Sequence, residues 1–234
     1  MMLSHLLEGY EEESTKFLCE GLSEGFKIPH RPFKFVTQAR NHPSALANPQ
    51  AIDKILQNEL SLGRIAGPFE YPPYQEFHLS PLGLVPKPNG TEFRIIHDLS
   101  FPFAASLNFA IPEECKTVSY DNLETAINII LELGPDSLIA KADIEQAYRI
   151  IPIHPSSVPL LGFVRRDRYY FDFMLPFGLA LSFQYFEKFS CAIQWILHNK
   201  YSVPHISHII DDFIFFLALV SPNSAMLHYV PFFT

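Results

Sequence analysis

Apolar residues recur at helical spacing in several segments of this chain. The segment "NPQAIDKILQNELSLGRI" predicts one helix. Its apolar positions are Ile52, Ile55, Leu56 and Leu60. Residues 119–133 predict a second helix, with Ser119 as a candidate N-cap and Gly134–Pro135 as the stop. The stretch "LALSFQYFEKFSCAIQWILHN" predicts the longest helix of the chain.

Strand signals are strongest in "LGLVPKPNGTEFRIIHDLS". Asn89–Gly90 lies there between two apolar runs, which predicts a hairpin with strands near 82–87 and 92–98. A second hairpin is predicted in "LLGFVRRDRYYFDFMLP", with its turn at Arg166–Asp167. Two further strands are predicted on either side of Asp211–Asp212.

One more strand is predicted between the second and the longest helix. "SLIAKAD", residues 137–143, indicates a short buried strand that ends on an acid, and "IEQAYRI" then continues as a short helix or turn. Strands and helices thus mix without regular βα alternation. This order favours an α+β fold over a doubly wound sheet.

Composition limits the class of protein. The 234 residues are 48% hydrophobic and 18% charged, which suits one large domain or two small ones with a core. The formal net charge of −8 is not the usual profile of a nucleic-acid binder. Three cysteines without a CxxC pair indicate reduced thiols, and the acidic N-terminal segment is unlike a signal peptide. We therefore expect an intracellular protein, in cytoplasm or nucleus, without a membrane span.

Two adjacent carboxylates, Asp211 and Asp212, stand in the most apolar stretch, "HISHIIDDFIFFLAL". Burying a carboxylate is costly unless something compensates its charge. A turn between two strands is the simpler interpretation, because aspartate is common in turns. Tight hairpin turns favour glycine, however, and the apolar flanks offer little polar relief. The alternative is a divalent cation, which binds carboxylate oxygens and offsets their repulsion.

Asp143 supplies a third carboxylate at the end of "SLIAKAD". If that strand lies beside the strand pair around Asp211–Asp212, Asp143 and Asp211 converge at one end of a sheet. Two Mg²⁺ ions sharing such carboxylates can activate an attacking hydroxyl and stabilise a leaving pyrophosphate. Mn²⁺ can substitute for Mg²⁺ in a site of this kind.

Four segments resemble reverse transcriptase motifs in order and approximate spacing: "LVPKPNGTEFRIIHDLS", "KADIEQAY", "LPFGL" and "IIDDF". The phrases "RIIHDLSFP", "LIAKADIEQAYRIIPIHP" and "YFEKFS" are most similar to DIRS-type retrotransposons, which use a tyrosine recombinase. The resemblance covers residues 45–217 and implies the palm and fingers of a polymerase. It implies an RNA-directed DNA polymerase, which uses two Mg²⁺ ions to transfer a nucleotide from dNTP to a primer 3′-hydroxyl on an RNA or DNA template.

The resemblance also implies the catalytic residues. Asp143 matches the first metal-binding aspartate of the palm, and Asp211 matches the first aspartate of the hairpin motif and would be the second metal ligand. Asp212 matches the second aspartate of that motif, which is usually less directly engaged with metal.

The residues implied for dNTP binding lie in the other motifs. Lys87 and Arg94 match the finger residues that hold the triphosphate, where lysine supplies a compact charge and arginine a bidentate fork. Tyr148 matches the aromatic residue that packs under the sugar and would clash with a 2′-hydroxyl. Phe177 and Gly178 match the segment that packs against the nascent base pair and the nucleotide.

Each of these residues has a simpler interpretation. Tyr148 alone is more typical of a core, Lys87 and Arg94 can be solvated hairpin charges, and "LPFGL" can be a strand-to-helix turn. Three arginines of the second hairpin either contact a phosphate backbone or solubilise the turn: Arg165, Arg166 and Arg168. His205 and His208, three apart on a strand, are predicted to point to opposite faces and are interpreted as structural.

The sequence departs from the reverse transcriptase pattern at three points. Ile209 stands where an aromatic residue usually begins the hairpin motif, and Leu181–Ser182 stand where a proline often follows "FGL". The chain ends soon after Asp212, so we expect an incomplete palm and no thumb. The expected domains are a helical and loop extension over residues 1–70 and the fingers with a partial palm over residues 71–234.

Two other functions stay open on the sequence alone. The chain can be a catalytically inactive retrotransposon relic, or a nucleic-acid-binding remnant without turnover, and the early end and Ile209 favour this alternative. A metal-dependent phosphohydrolase could use the same carboxylates, although the chain lacks the histidine-rich ligand set that many such enzymes use.

Overall fold

The computed structural model describes residues 2–88, 90, 92–118 and 123–218. The predicted turn residue Asn89 and the predicted N-cap Ser119 lie outside these residues. The described residues fall into two compact units that alternate along the chain. Unit 1 draws on residues 1–15, 118–145 and 186–234, and unit 2 on residues 16–117 and 146–185. The boundary expected at residue 70 stays a prediction.

The helices and strands have the following bounds. The α-helices are α1 (Met2–Leu6), α2 (Glu12–Glu24), α3 (Pro43–Ala47), α4 (Pro49–Ser61), α5 (Leu107–Ala110), α6 (Leu123–Leu133) and α7 (Ser182–Tyr201). The strands are β1 (Ile65–Phe69), β2 (Leu82–Pro86), β3 (Phe93–His97), β4 (Leu138–Asp143), β5 (Gly162–Arg165), β6 (Arg168–Asp172), β7 (His205–Ile209) and β8 (Asp212–Leu217). The three helices predicted from periodicity are confirmed as α4, α6 and α7, and "IEQAYRI" contains a short 3₁₀ helix, Ala147–Ile150.

Unit 2 is built on a two-stranded sheet, β2–β3, and a three-stranded antiparallel sheet in the order β1–β6–β5. The apolar face of α4 supplies Ile52 and Leu56 to its core. The other buried members of this cluster are Ala45, Ile65, Leu82, Leu84 and Phe163. Helical periodicity therefore predicted correctly which side of α4 is buried.

Both hairpins predicted in unit 2 are confirmed. Strands β2 and β3 pair from Leu82 opposite His97 to Pro86 opposite Phe93. Strands β5 and β6 pair up to Arg165 opposite Arg168, and the two residues between them, Arg166 and Asp167, have φ of 51° and 56°. Positive φ at both central residues is the geometry that suits a two-residue hairpin turn.

A buried ionic network joins three elements of unit 2. Arg149, in the 3₁₀ helix, lies with Nη2 2.6 Å from Glu59 Oε2 on α4 and with Nη1 2.8 Å from Asp172 Oδ1 on β6. His97 Nδ1 lies 3.0 Å from the other oxygen of Asp172, Oδ2. Burial by itself raises the pKa of Asp172, but Arg149 and His97 hold that pKa below its ordinary value. The network is therefore a compensated set of buried charges.

Unit 1 contains a three-stranded antiparallel sheet in the order β4–β8–β7, and α6 packs on β7 and β8. Val203, Ile206 and Phe213 form its buried cluster. The partly buried residues around them are Ile144, Ile193, Leu197 and Phe215. The two strands predicted on either side of Asp211–Asp212 are confirmed as β7 and β8.

The prediction that "SLIAKAD" is a buried strand is wrong. Every residue of β4 is exposed except Ala140, which is half-buried. The physical reason is helix cover: β4 and β7 are both edge strands, but α6 contacts β7 and β8, and no helix of the described residues has comparable contact with β4. The apolar run predicts the strand correctly but not its burial.

Among the residues that the structure describes, no helix combines the length and the apolar character needed to cross a membrane.

Candidate active site

Strand pairing in unit 1 brings the three aspartates together. Asp143, the last residue of β4, lies directly opposite Asp212, the first residue of β8. Asp211 precedes Asp212 in the turn, and its carbonyl oxygen accepts a hydrogen bond from Ile144 N at 3.2 Å. Residues directly opposite in an antiparallel pair have Cβ atoms about 4.5–5.5 Å apart. The carboxylates of Asp143 and Asp212 are therefore neighbours, with Asp211 adjacent in the chain.

The three carboxylates repel one another electrostatically. Partial desolvation raises the pKa of Asp143, and the charges of Asp211 and Asp212 raise it further. Lys141, two residues earlier on the same strand, lies with Nζ 2.9 Å from Asp212 Oδ1. Three carboxylates with one lysine leave an excess of negative charge, and their hard oxygen atoms are the ligand type that Mg²⁺ prefers. Asp143 and Asp212 thus offer the donor atoms that a divalent cation binds, but among the described residues the three aspartates do not bring one carboxylate oxygen each to within 4.8 Å of the others.

The turn that carries Asp211 is strained. Ile210 has φ of 59°, in the left-handed region that β-branched residues avoid. Backbone outliers of this kind cluster at functional sites, where the surrounding structure holds them in place. Here Ser190 Oγ on α7 donates a hydrogen bond to the Ile210 carbonyl oxygen at 2.5 Å. The fold therefore holds the hairpin tip in a conformation that its sequence does not favour.

Four of the five residues implied for dNTP binding lie close together in unit 2. The Arg94 guanidinium lies over the Phe177 ring, 5.2 Å from its centroid. The Tyr148 ring lies 5.1 Å from that of Phe177 and 5.7 Å from that of Phe183. Gly178 has φ of 117°, and a side chain there would collide with the His97 carbonyl oxygen. Only glycine fits this close backbone approach.

Lys87 stands apart from that group. Its Nζ forms an exposed ion pair with Glu92 Oε2 at 2.8 Å, across the β2–β3 hairpin. The arginines of the second hairpin also have acidic partners, because Arg165 Nε lies 2.8 Å from Asp53 Oδ1 and Arg168 Nη1 lies 3.5 Å from Glu70 Oε2. These pairs are compatible with the simpler interpretation of the arginines as turn residues.

Comparisons with known proteins bear on the fold. A scan against protein-family models and a search of curated proteins found no match. Among solved structures, the chain is similar to the native prototype foamy virus protease-reverse transcriptase, with 20% identity over 80% of this chain and 22% of that one, and a TM-score of 0.55. It is also similar to the foamy viral protease-reverse transcriptase in complex with double-stranded DNA, at 18% identity, over 92% of this chain and 44% of that one, with a TM-score of 0.54.

A third solved structure is the foamy viral protease-reverse transcriptase in complex with an RNA/DNA hybrid, at 16% identity, over 91% of this chain and 28% of that one, with a TM-score of 0.55. The chain has a reverse transcriptase fold. The α+β expectation of polymerase palm and fingers is thereby confirmed. The chain spans 22–44% of the length of these three proteins.

The reverse transcriptase fold also carries a polar cluster that sequence reasoning missed. His208 on β7 is buried and contacts Glu187 and Cys191 of α7. The sequence suggests only His205 as a partner of His208, and residues three apart on a strand point to opposite faces of the sheet. The signal that could have found the cluster is the four-residue spacing of Glu187 and Cys191, which places both on one helix face.

Proposed function

We propose that the chain is an RNA-directed DNA polymerase domain. The observation that carries this proposal is the pairing of Asp143 with the Asp211–Asp212 hairpin in a chain with a reverse transcriptase fold. The reaction is attack of a primer 3′-hydroxyl oxygen on the α-phosphorus of a dNTP, with pyrophosphate as the leaving group. The partners are a primer with an RNA or DNA template, and dNTP.

Asp143 and Asp211 are the residues that would hold Mg²⁺. Two such ions, when bound, lower the pKa of the 3′-hydroxyl and stabilise the leaving pyrophosphate. Asp212 keeps the local charge negative, and its ion pair with Lys141 at 2.9 Å orients its carboxylate. The mutual repulsion that raises the pKa of Asp143 is the electrostatic reason for the site to take up a divalent cation.

The residues of unit 2 supply substrate binding in this proposal. Arg94 and Lys87 hold the triphosphate, and binding of the triphosphate by Lys87 has to compete with its exposed ion pair to Glu92. Tyr148, buried against Phe177, presents a fixed ring edge that excludes a 2′-hydroxyl. The left-handed backbone at Gly178 is what lets the chain pass close to His97 beside Phe177.

The source class in this proposal is a retrotransposon of the DIRS type. It rests on the phrases "RIIHDLSFP", "LIAKADIEQAYRIIPIHP" and "YFEKFS" of the sequence.

Primer extension on an RNA template tests the proposed activity. The chain should add labelled dNTP to a DNA primer in the presence of Mg²⁺, and Asp143→Asn and Asp211→Asn should each abolish the product. Asp136→Asn, an exposed acid that precedes β4, is the matched control and should leave the product unchanged. Product that survives both Asp143→Asn and Asp211→Asn would refute the assignment of these carboxylates.

Nucleic-acid binding without turnover is the second candidate. The observation that favours it is Ile209, which is 49% exposed on β7, opposite Asp212, where an aromatic residue usually stands in reverse transcriptases. This alternative predicts weak, salt-sensitive binding of primer-template that Asp143→Asn leaves unchanged, and no extension at any Mg²⁺ concentration. Extension by a version joined to a reverse transcriptase thumb, with none from this chain, would also favour it for this chain.

A further inference from the structure

Three side chains with metal-binding atoms meet in unit 1, in addition to the three aspartates. Glu187 and Cys191 lie one turn apart on α7, and His208 lies on β7. His208 Nε2 is 3.1 Å from Glu187 Oε1 and 3.9 Å from Cys191 Sγ. Cys191 Sγ is in turn 3.8 Å from Glu187 Oε1. One ligand atom from each residue thus lies within 4.8 Å of the other two.

Gln194 fixes the orientation of the His208 ring. Gln194 Nε2 donates a hydrogen bond to the Ile206 carbonyl oxygen at 3.0 Å, so Gln194 Oε1 is the atom that faces His208 Nδ1. Because Oε1 can only accept, Nδ1 carries a proton, which leaves Nε2, 3.1 Å from Glu187 Oε1, as the ring atom that a metal ion would take in place of a proton. Metal-binding histidines commonly donate their other ring N–H in this way.

Glu187 is the second indication that an ion belongs here. Its side chain is buried, with 8% of the residue exposed, and Oε2 has no hydrogen-bond partner among the described residues. A buried carboxylate requires compensation for its lost hydration, and the contacts of His208 and Cys191 reach only Oε1. A cation bound among the three side chains would complete that compensation.

The ligand types and separations suit zinc. Tetrahedral zinc with bonds of about 2.0–2.3 Å places neighbouring ligand atoms about 3.3–3.8 Å apart. The observed separations of 3.1, 3.8 and 3.9 Å lie within about 0.2 Å of this range, so small shifts of the side chains would complete the geometry. Thiolate, imidazole and carboxylate together favour zinc over the hard cations. We propose that Glu187, Cys191 and His208 bind one zinc ion, whose fourth position is taken by water.

The zinc ion would join helix α7 to strand β7 just before the hairpin tip. His208 lies three residues before Asp211, and Ser190, between the two helical ligands, already donates to the Ile210 carbonyl oxygen. The ion would thus brace the strained hairpin. This inference is independent of the proposed polymerase activity, because it rests on the ligand atoms alone.

Titration of the metal-free full-length chain with Co²⁺ tests the inference. Cobalt bound by a thiolate absorbs in the near ultraviolet through sulfur-to-metal charge transfer, and tetrahedral cobalt has strong visible bands. The Cys19→Ser/Cys115→Ser double variant retains Cys191 as its single thiol and is the informative protein. Cys191→Ser in the wild-type background is the matched control, since it keeps the other two thiols.

The double variant should bind one Co²⁺ per chain with charge-transfer absorption that Zn²⁺ abolishes, and Cys191→Ser should lack that absorption. Gln194→Leu should weaken cobalt binding about 10–100-fold. Asp143→Asn should leave the absorption unchanged, which separates this site from the proposed magnesium site. Absence of the absorption in the double variant would overturn the inference, even if Cys191→Ser proves unfolded by circular dichroism. Equal absorption in Cys191→Ser and wild type would also overturn it.

Discussion

Replacing Arg149 by methionine should destabilise the protein severely, because the guanidinium compensates two buried carboxylates. Arg149 lies 2.6 Å from Glu59 Oε2 and 2.8 Å from Asp172 Oδ1, and the Arg149 side chain is 9% exposed. Methionine keeps the aliphatic volume and removes the charge. Removing one partner of a buried ion pair costs about 3–5 kcal/mol, because the remaining charge stays buried without compensation.

The cost has an upper limit that depends on pH. Asp172 can take up a proton instead of remaining a buried anion. Each pH unit above its ordinary pKa of 3.8 raises the free-energy cost of that protonation by about 1.36 kcal/mol. The limit for Asp172 is therefore about 4.4 kcal/mol at pH 7 and about 1.6 kcal/mol at pH 5. The destabilisation by Arg149→Met should accordingly be about 3–4 kcal/mol at pH 7 and shrink as the pH is lowered.

Urea unfolding of wild type and Arg149→Met at pH 7 and pH 5 measures both values. Adding Asp172→Asn to Arg149→Met should recover at least half of the loss at pH 7, since the more deeply buried of the two uncompensated carboxylates is gone. Arg168→Met is the matched control, because Arg168 is 48% exposed and pairs with an exposed Glu70 at 3.5 Å. A loss below about 1 kcal/mol at pH 7, or an equal loss at both pH values, would refute the reasoning.

Three further predictions concern single residues. Ile210→Gly should stabilise the chain by about 0.5–1 kcal/mol in urea unfolding, because φ of 59° strains isoleucine, whereas Ile209→Gly should destabilise it. Lys141→Gln should tighten Mn²⁺ binding several-fold in a fluorescence competition assay, because the ammonium, 2.9 Å from Asp212, repels a cation held by Asp143 and Asp211; unchanged or weaker binding would contradict this. Burial, and secondarily the charge of His97, lowers the pKa of His78 to about 4, so unfolding free energy should fall as the pH drops from 6.5 to 4. An NMR titration in which the His78 ring protonates near 6.5 would contradict it.

Local chemistry made much of the fold predictable. The β2–β3 hairpin follows from an Asn-Gly pair in the sequence between two apolar runs, and α4 follows from the spacing of Ile52 and Leu56, which are buried on one face. These signals depend on residues a few positions apart. The exposure of β4 could not be predicted in the same way, because it depends on which strands of the sheet a helix covers.

In the candidate site, too, local sequence identifies the residues and tertiary structure decides what they contact. The motifs singled out Asp143 and Asp211–Asp212, but the placement of Asp143 opposite Asp212 depends on the register of two strands that are distant in the chain. The contact of His208 with Glu187 and Cys191 depends on how β7 packs against α7, which no local pattern specifies. The sequence can thus identify candidate site residues, whereas the residues that they contact become known only from the tertiary structure.

The central claim is that Asp143 and Asp211 form a divalent-metal site, and Mn²⁺ binding measured by electron paramagnetic resonance tests it most directly. Wild type and the exposed control Asp136→Asn should bind Mn²⁺ that Mg²⁺ displaces. Asp143→Asn and Asp211→Asn, checked for folding by circular dichroism, should each lose that binding. Equal Mn²⁺ affinity in wild type and in both site variants would contradict the account.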